Sequence, residues 1–295
     1  MAQRWMAVVG LCLAAPLAAA EMGSQSPGDI HFLGEDGLLQ RGNRCAAPPL
    51  DAALAAEVNE AIAPLVESFL AQPLAPEADK LVDVAFHVVT NGSTGAVSDA
   101  RIAQQISVLN AAYQGKGFQF RLVRTTRTSN RSWFTGCYGG GEMKMKNALA
   151  YDVPNTLNIY SCSPRNGILG YSYLPATFAE GNKHHGVVVL HSSLPGGSAV
   201  PYNLGDTATH EVGHYLGLDH TFANGCSAPG DDVADTPYEA SAAFGCPGGR
   251  DTCSSAGLDP IENFMDYTDD ACMDRFSSGQ AARMQAQVAT YKPSL

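Results

Sequence analysis

Eleven residues, His210-Glu211-Val212-Gly213-His214-Tyr215-Leu216-Gly217-Leu218-Asp219-His220, constrain this chain more than any others. Two histidines four positions apart on a helix lie one turn apart on the same face, so both imidazoles can reach one cation. Gly217 can take a left-handed conformation, which lets the chain turn sharply and return His220 as a third nitrogen ligand. Three protein ligands leave one position open, the arrangement of a catalytic rather than a structural zinc. Glu211 projects nearby but off that line, suited to act as base on water held by the ion. The competing reading is unrelated histidines on an exposed helix, and five fixed residues in place weigh against it. The expected chemistry is hydrolysis: Glu211 takes a proton from water and passes it to a leaving amine, with no covalent intermediate.

The 295 residues could fill one large domain or two modest ones, and 45% hydrophobic with 16% charged residues suits a folded protein. A formal charge of −11 argues against nucleic acid, which demands clustered Lys and Arg. Arg4, the apolar run Met6 to Leu17 and Ala18-Ala19-Ala20 read as an export signal over residues 1–20. The run is shorter than a membrane anchor, and bulky Leu11 before Cys12 speaks against a lipoprotein. A secreted, unanchored protein is expected. Removing Cys12 leaves Cys137, Cys162, Cys226, Cys246, Cys253 and Cys272 as an even set for an oxidising compartment, with Cys45 standing alone. Spacing alone allows about 15 pairings of six cysteines.

Residues 21–50, rich in Gly, Pro and polar types, are expected to be irregular. Leu54, Val58, Ile62, Leu65 and Leu70 recur at helical spacing, interrupted by Pro64, and Pro73 and Pro76 mark a linker. A strand over 81–89, a helix capped by Ser98 and a strand over 118–123 suggest a crossover unit in a twisted, mostly parallel sheet. Further strands are expected at 156–161, 168–174 and 186–191. Helices are expected from Asp206 or Thr207 to Leu216 and from Ser278 to Tyr291, with mostly loop over 221–260. The reading is therefore α/β, or α+β, with a signal (1–20), a pro-segment (21–80, processed near Ala75–Lys80) and a catalytic domain (81–295).

The histidine pattern with Asn263-Phe264-Met265-Asp266-Tyr267 downstream resembles the metzincin clan of zinc endopeptidases. Within it, Gly217-Leu218-Asp219-His220-Thr221-Phe222, Asp232-Val233-Ala234-Asp235-Thr236-Pro237 and Met265-Asp266-Tyr267-Thr268-Asp269-Asp270-Ala271-Cys272 resemble the pappalysin family, especially its compact secreted members. The resemblance covers the C-terminal third closely. It implies a metzincin-like zincin fold with an irregular, disulfide-stapled lower part, and activity on protein or peptide substrates. It implies that Met265 forms a turn below the metal, that Tyr267 stabilises the oxyanion, and that Cys137–Cys162, Cys226–Cys253 and Cys246–Cys272 pair.

Arg44-Cys45 resembles the basic-Cys switch by which some metzincins block their own zinc, although Ala46 replaces the usual glycine; the alternative is an incidental cysteine. The acidic loop with Asp231, Asp232, Asp235 and Thr236 reads equally as a calcium site, which the resemblance implies near here, or as a solvated turn. Ile168 to Leu174 is read as the rim strand to which substrate adds, against an ordinary buried strand. His184, His185 and His191 receive no function, and His87 is read as a packed core histidine. Relatives that prefer a basic residue after the cut carry an acid just before the cysteine ending the turn segment. Ala271 stands there, although Asp269 and Asp270 are close, so a broader or more apolar pocket is expected. The other function class is a zinc-bearing adhesin or binding module without hydrolysis.

Overall fold

A computed structural model describes residues 29–71 and 79–295. The expected signal and most of the expected processing region lie outside the described residues.

The N-terminal part is more regular than its composition suggested. Strands β1 (Asp29–Leu33) and β2 (Leu39–Asn43) form an antiparallel hairpin in register from Asp29↔Asn43 to Leu33↔Leu39. Ile30 and Phe32 point inward against Leu169, Leu190 and Tyr202, while His31 faces out, a two-residue period too short to stand out by pattern. Helix α1 (Ala52–Ala71) then runs through Pro64 without a break. Proline removes one helical hydrogen bond, but Val58 and Ile62 are fully packed and hold the helix on its docking face.

The expected sheet follows. Strands β3 (Lys80–Thr90), β4 (Phe118–Ser129) and β5 (Thr156–Cys162), then β6 (Gly170–Tyr171) and β7 (Val187–Leu190), lie in the order β4-β3-β5-β7-β6. All neighbours are parallel except β6, which is antiparallel to β7 and forms an edge. Between β3 and β4 lies α2 (Asp99–Ala112), capped by the Ser98 hydroxyl, which accepts from the Arg101 amide. The helices α3 (Arg131–Gly136) and α4 (Glu142–Leu149) were not foreseen; they cover the second sheet face with Phe134 and Met145. On the first face Val82, Val84, Phe86 and Val88 pack with α2 and with the site helix α5 (Asp206–Leu216). The fold is thus mixed α/β with a mostly parallel sheet, as expected.

After α5 the chain forms no strand and no α-helix until α6 (Ser278–Tyr291), which opens with a capping box between Ser277 and Gln280. Burial of regular structure cannot hold this stretch. Covalent and ionic links do. Cys226–Cys253 and Cys246–Cys272 are bonded here, and Cys137–Cys162 joins α3 to β5. Each closes a loop worth about 3.5 kcal/mol of unfolded-chain entropy. Arg250 sits between Glu239 and Asp259, and Glu239 also accepts from Thr221 at 3.0 Å, tying the lower loops to the end of the bend that follows α5.

Candidate metal centre

Every residue of α5 is buried. A glycine at its start (Gly205) and another at its end (Gly217) both take φ near +107°, conformations that favour a residue without Cβ. The helix starts at Asp206, one of the two expected positions, but its cap is Gly205 rather than Asp206 or Thr207. Beyond Gly217 the Leu218 amide returns to the Gly213 carbonyl at 3.0 Å, closing the turn that carries His220 back towards the helix.

The three imidazoles converge. His210 Nδ1 bonds the Phe264 carbonyl at 2.7 Å, and His214 Nδ1 bonds the Leu218 carbonyl at 2.7 Å. A carbonyl can only accept, so each Nδ1 carries the proton and each Nε2 presents a lone pair. Those Nε2 atoms face one another: His214 lies 3.1 Å from His210 and 3.0 Å from His220. Burial and the neighbouring imidazoles push His210 and His220 well below the usual histidine range, and burial brings His214 to about 4. Lone pairs turned towards one another repel unless a cation sits between them, so the donor set fits a metal such as zinc.

Cys45 completes the group. Its Sγ lies 3.5 Å from His214 Nε2, and the four potential ligand atoms of Cys45, His210, His214 and His220 all fall within 4.8 Å of one another. Burial and the nearby Glu211 raise the thiol. Glu211 itself is fully buried, both its oxygens lack a hydrogen-bond partner among the described residues, and burial lifts it to about 8. The Tyr267 hydroxyl is 3.2 Å from His220 Nε2. Met265 lies under the helix: a Cβ on Gly213 would sit 2.4 Å from its Sδ, so glycine between the ligands and methionine below them are one packing solution.

The rim passes directly over Glu211, since a Cβ on Gly170 would meet its Cγ at 2.7 Å. Residues 43–46 lie along that edge: the Leu169 amide bonds the Asn43 carbonyl and the Ala46 amide bonds the Gly170 carbonyl, both at 3.0 Å, in a parallel run. The regular strand is shorter than the expected 168–174, two residues in length, but it stands at the sheet edge.

Beside Cys45, Arg44 enters a closed pocket. Its guanidinium reaches Asp270 at 3.1 Å, bonds the Thr207 hydroxyl and stacks over the Tyr202 ring at 5.0 Å. Burial and Asp270 raise Asp206 at the rim of this pocket to about 7. Ala271, the position singled out from sequence, is not the residue that meets Arg44; Asp270, one residue earlier, is. The available signal was Arg44 itself, a cation next to the cysteine with no local partner. Asp232, Asp235 and Thr236 line one cavity, but each has other partners. Asp235 accepts from the Ser277 hydroxyl and the Gly279 amide at the start of α6, Thr236 bonds Asp231, and Asp232 faces Arg283. His87 is buried between Thr126 and Asn158 and stacked on Tyr160, the core histidine expected.

Comparison with known proteins places the chain among metallopeptidases. Residues 170–289, from the rim strand into α6, match the family model described as pregnancy-associated plasma protein-A. Extracellular metalloprotease 1 of Coccidioides posadasii is 45% identical over 236 residues, covering 78% of this chain and 84% of that protein. Mature mirolysin of Tannerella forsythia in complex with a cleaved peptide superposes with a TM-score of 0.64 at 34% identity, covering 71% of this chain and 92% of the other. A promirolysin mutant from the same organism gives 0.68 at 30% identity, covering 82% and 90%. The chain belongs to the pappalysin family of peptidases. It is an extracellular metalloendopeptidase, and no helix of the described residues is long and apolar enough to cross a membrane.

Proposed function

We propose that this chain is the latent form of a zinc-dependent endopeptidase in which His210, His214 and His220 hold the metal, Glu211 is the general acid/base and Cys45 closes the remaining position. One observation carries the reading: the Nε2 atoms of three buried imidazoles converge, those of His210 and His220 lying 3.1 and 3.0 Å from that of His214, and two of the three are set as lone-pair donors by Nδ1 bonds to carbonyls. Bound there, zinc would act as Lewis acid on the scissile carbonyl and lower the pKa of a water in its open position. Glu211, buried and without a fixed partner, takes a proton from the attacking water and hands it to the leaving amine. Burial raises its proton affinity, which suits a group that both accepts and returns a proton. Tyr267, held beside His220, donates a hydrogen bond to the oxyanion. Met265 sets the height of the helix through Gly213.

Residues 21–80 are the pro-segment and 81–295 the catalytic domain. Support comes from residues 43–46, which occupy the β6 edge where an extended substrate would add its own hydrogen bonds, and from the similarity to a pro-form, promirolysin. Calcium at Asp232, Asp235 and Thr236 would share these side chains with the partners they now hold. Calcium-dependent thermal stability of the matured enzyme tests for it.

The test of the whole reading is metal analysis of the matured protein together with casein hydrolysis in the presence and absence of a zinc chelator. Bound zinc with no hydrolysis would make the chain a silent binding module; absent zinc, or full hydrolysis by Glu211→Ala, would sink the proposal.

A further inference from the structure

The bend at Gly217 serves two of the three imidazoles, because Leu218 orients His214 and the following residues deliver His220. A helix end leaves its last carbonyls without partners, and a bend this important needs something to hold it. Helix α6 supplies it. Gln287 lies so close that a Cβ on Gly217 would fall 2.4 Å from its Cγ, and one turn earlier Arg283 donates from Nε to the Gly217 carbonyl at 3.3 Å. Arg283 is 4% exposed, and its other two nitrogens are also engaged. Nη1 donates to Asn59 Oδ1 of α1 at 2.9 Å, and Nη2 faces Asp232 at 3.8 Å. One planar guanidinium therefore joins the metal bend, the N-terminal helix and the acidic loop. A lysine, with a single nitrogen, could serve one of these partners but not hold all three.

We propose that Arg283 is a positioning residue for the metal centre, fixing the Gly217 bend so that His214 and His220 meet the ion in register, and that α1 docks on the same guanidinium. The inference rests on the three-histidine zinc reading. Groups that orient metal ligands from behind typically change metal affinity about 10–100-fold when removed, and the same scale is expected here even though Arg283 touches no ligand directly.

The experiment is competition for zinc against a chromophoric chelator, using the full chain and its Arg283→Gln, Arg283→Lys and Asn59→Ala variants, with melting temperatures of the metal-free proteins alongside. Arg283→Gln is expected to weaken zinc binding about 10–100-fold, Arg283→Lys to fall between it and the parent, and Asn59→Ala to stay within about twofold of the parent. In the matured enzyme Arg283→Gln should lower kcat with KM little changed. If Arg283→Gln melts lower but binds zinc as tightly as the parent, the residue is packing alone and the proposal is overturned. If Asn59→Ala weakens zinc as much as Arg283→Gln, the effect travels through helix docking, and the proposal is again overturned. Should Arg283→Gln fail to fold, Arg283→Lys decides by the same criterion. A parent chain that binds no zinc removes the histidine reading itself, which separates that failure from this one.

Discussion

The Arg44 guanidinium and the Asp270 carboxylate meet at 3.1 Å, with neither side chain open to solvent. Residues 226 positions apart thus share a pocket beside the metal centre. Breaking a buried pair by removing one partner leaves an uncompensated charge. Asp270→Ala is expected to destabilise the full chain by about 3 kcal/mol, and the Arg44→Met/Asp270→Ala double variant by less than the sum of the singles. Denaturant unfolding of the four proteins checks this.

Removal of the proposed pro-segment, residues 21–80, would vacate the same pocket. Its acidic floor would then favour a basic substrate side chain next to the cut, an alternative to the broader or more apolar pocket expected from Ala271. Cleavage-site mapping with a peptide library should show Arg or Lys enriched there, and Asp270→Ala should erase the preference. An apolar preference in the parent enzyme would contradict the assignment.

Cys45 sits 3.5 Å from His214 Nε2, and its neighbours lie along the β6 edge. Replacing it with alanine removes a soft ligand while leaving the backbone pairing intact. The uncleaved Cys45→Ala chain is expected to hydrolyse a small peptide slowly, at a rate well above the parent pro-form. Equal latency in both would assign inhibition to steric cover alone.

Gly213 and Met265 should be coupled. A methyl group on Gly213 would lie 2.4 Å from Met265 Sδ, an overpacking that costs about 1–3 kcal/mol. Gly213→Ala alone is expected to lower stability, and shortening Met265 in the same chain to recover part of the loss. Additive losses measured by thermal unfolding would show that the two do not share space.

Stability of the metal-free full chain should depend on pH in two windows. Glu211 rises from an ordinary 4.5 to about 8 through burial, so the folded state holds its proton more tightly than the unfolded one. Its contribution is complete below about 4.5 and is lost as pH climbs towards about 8. His214 moves the other way, from 6.5 down to about 4 through burial, and its contribution fades as pH falls through that range. Asp206, Asp231 and Asp266, raised to about 7, and Glu239, raised to about 8, titrate in the same alkaline window. Glu211→Gln is therefore expected to make that limb shallower without removing it and to leave the acid limb; an unchanged alkaline limb would place the titration on those groups alone.

What the sequence by itself determined was everything that depends on near neighbours. The helix 206–216, the left-handed glycine after it, the Ser98 cap and the limits of α6 at 278 and 291 follow from spacing, capping chemistry and backbone sterics, forces that act within a turn or two. The disulfide partners were legible only through resemblance, since spacing leaves the pairings open. Tertiary structure decided the rest. The β1–β2 hairpin forms because Ile30 and Phe32 find Leu169, Leu190 and Tyr202 far along the chain, and the continuity of α1 through Pro64 comes from its packed face. Asp270 rather than position 271 floors the pocket because a single-residue change in loop direction turns one side chain in and the next out. Local preferences act at short range along the chain, whereas burial and charge pairing act between surfaces that meet only once the chain has folded.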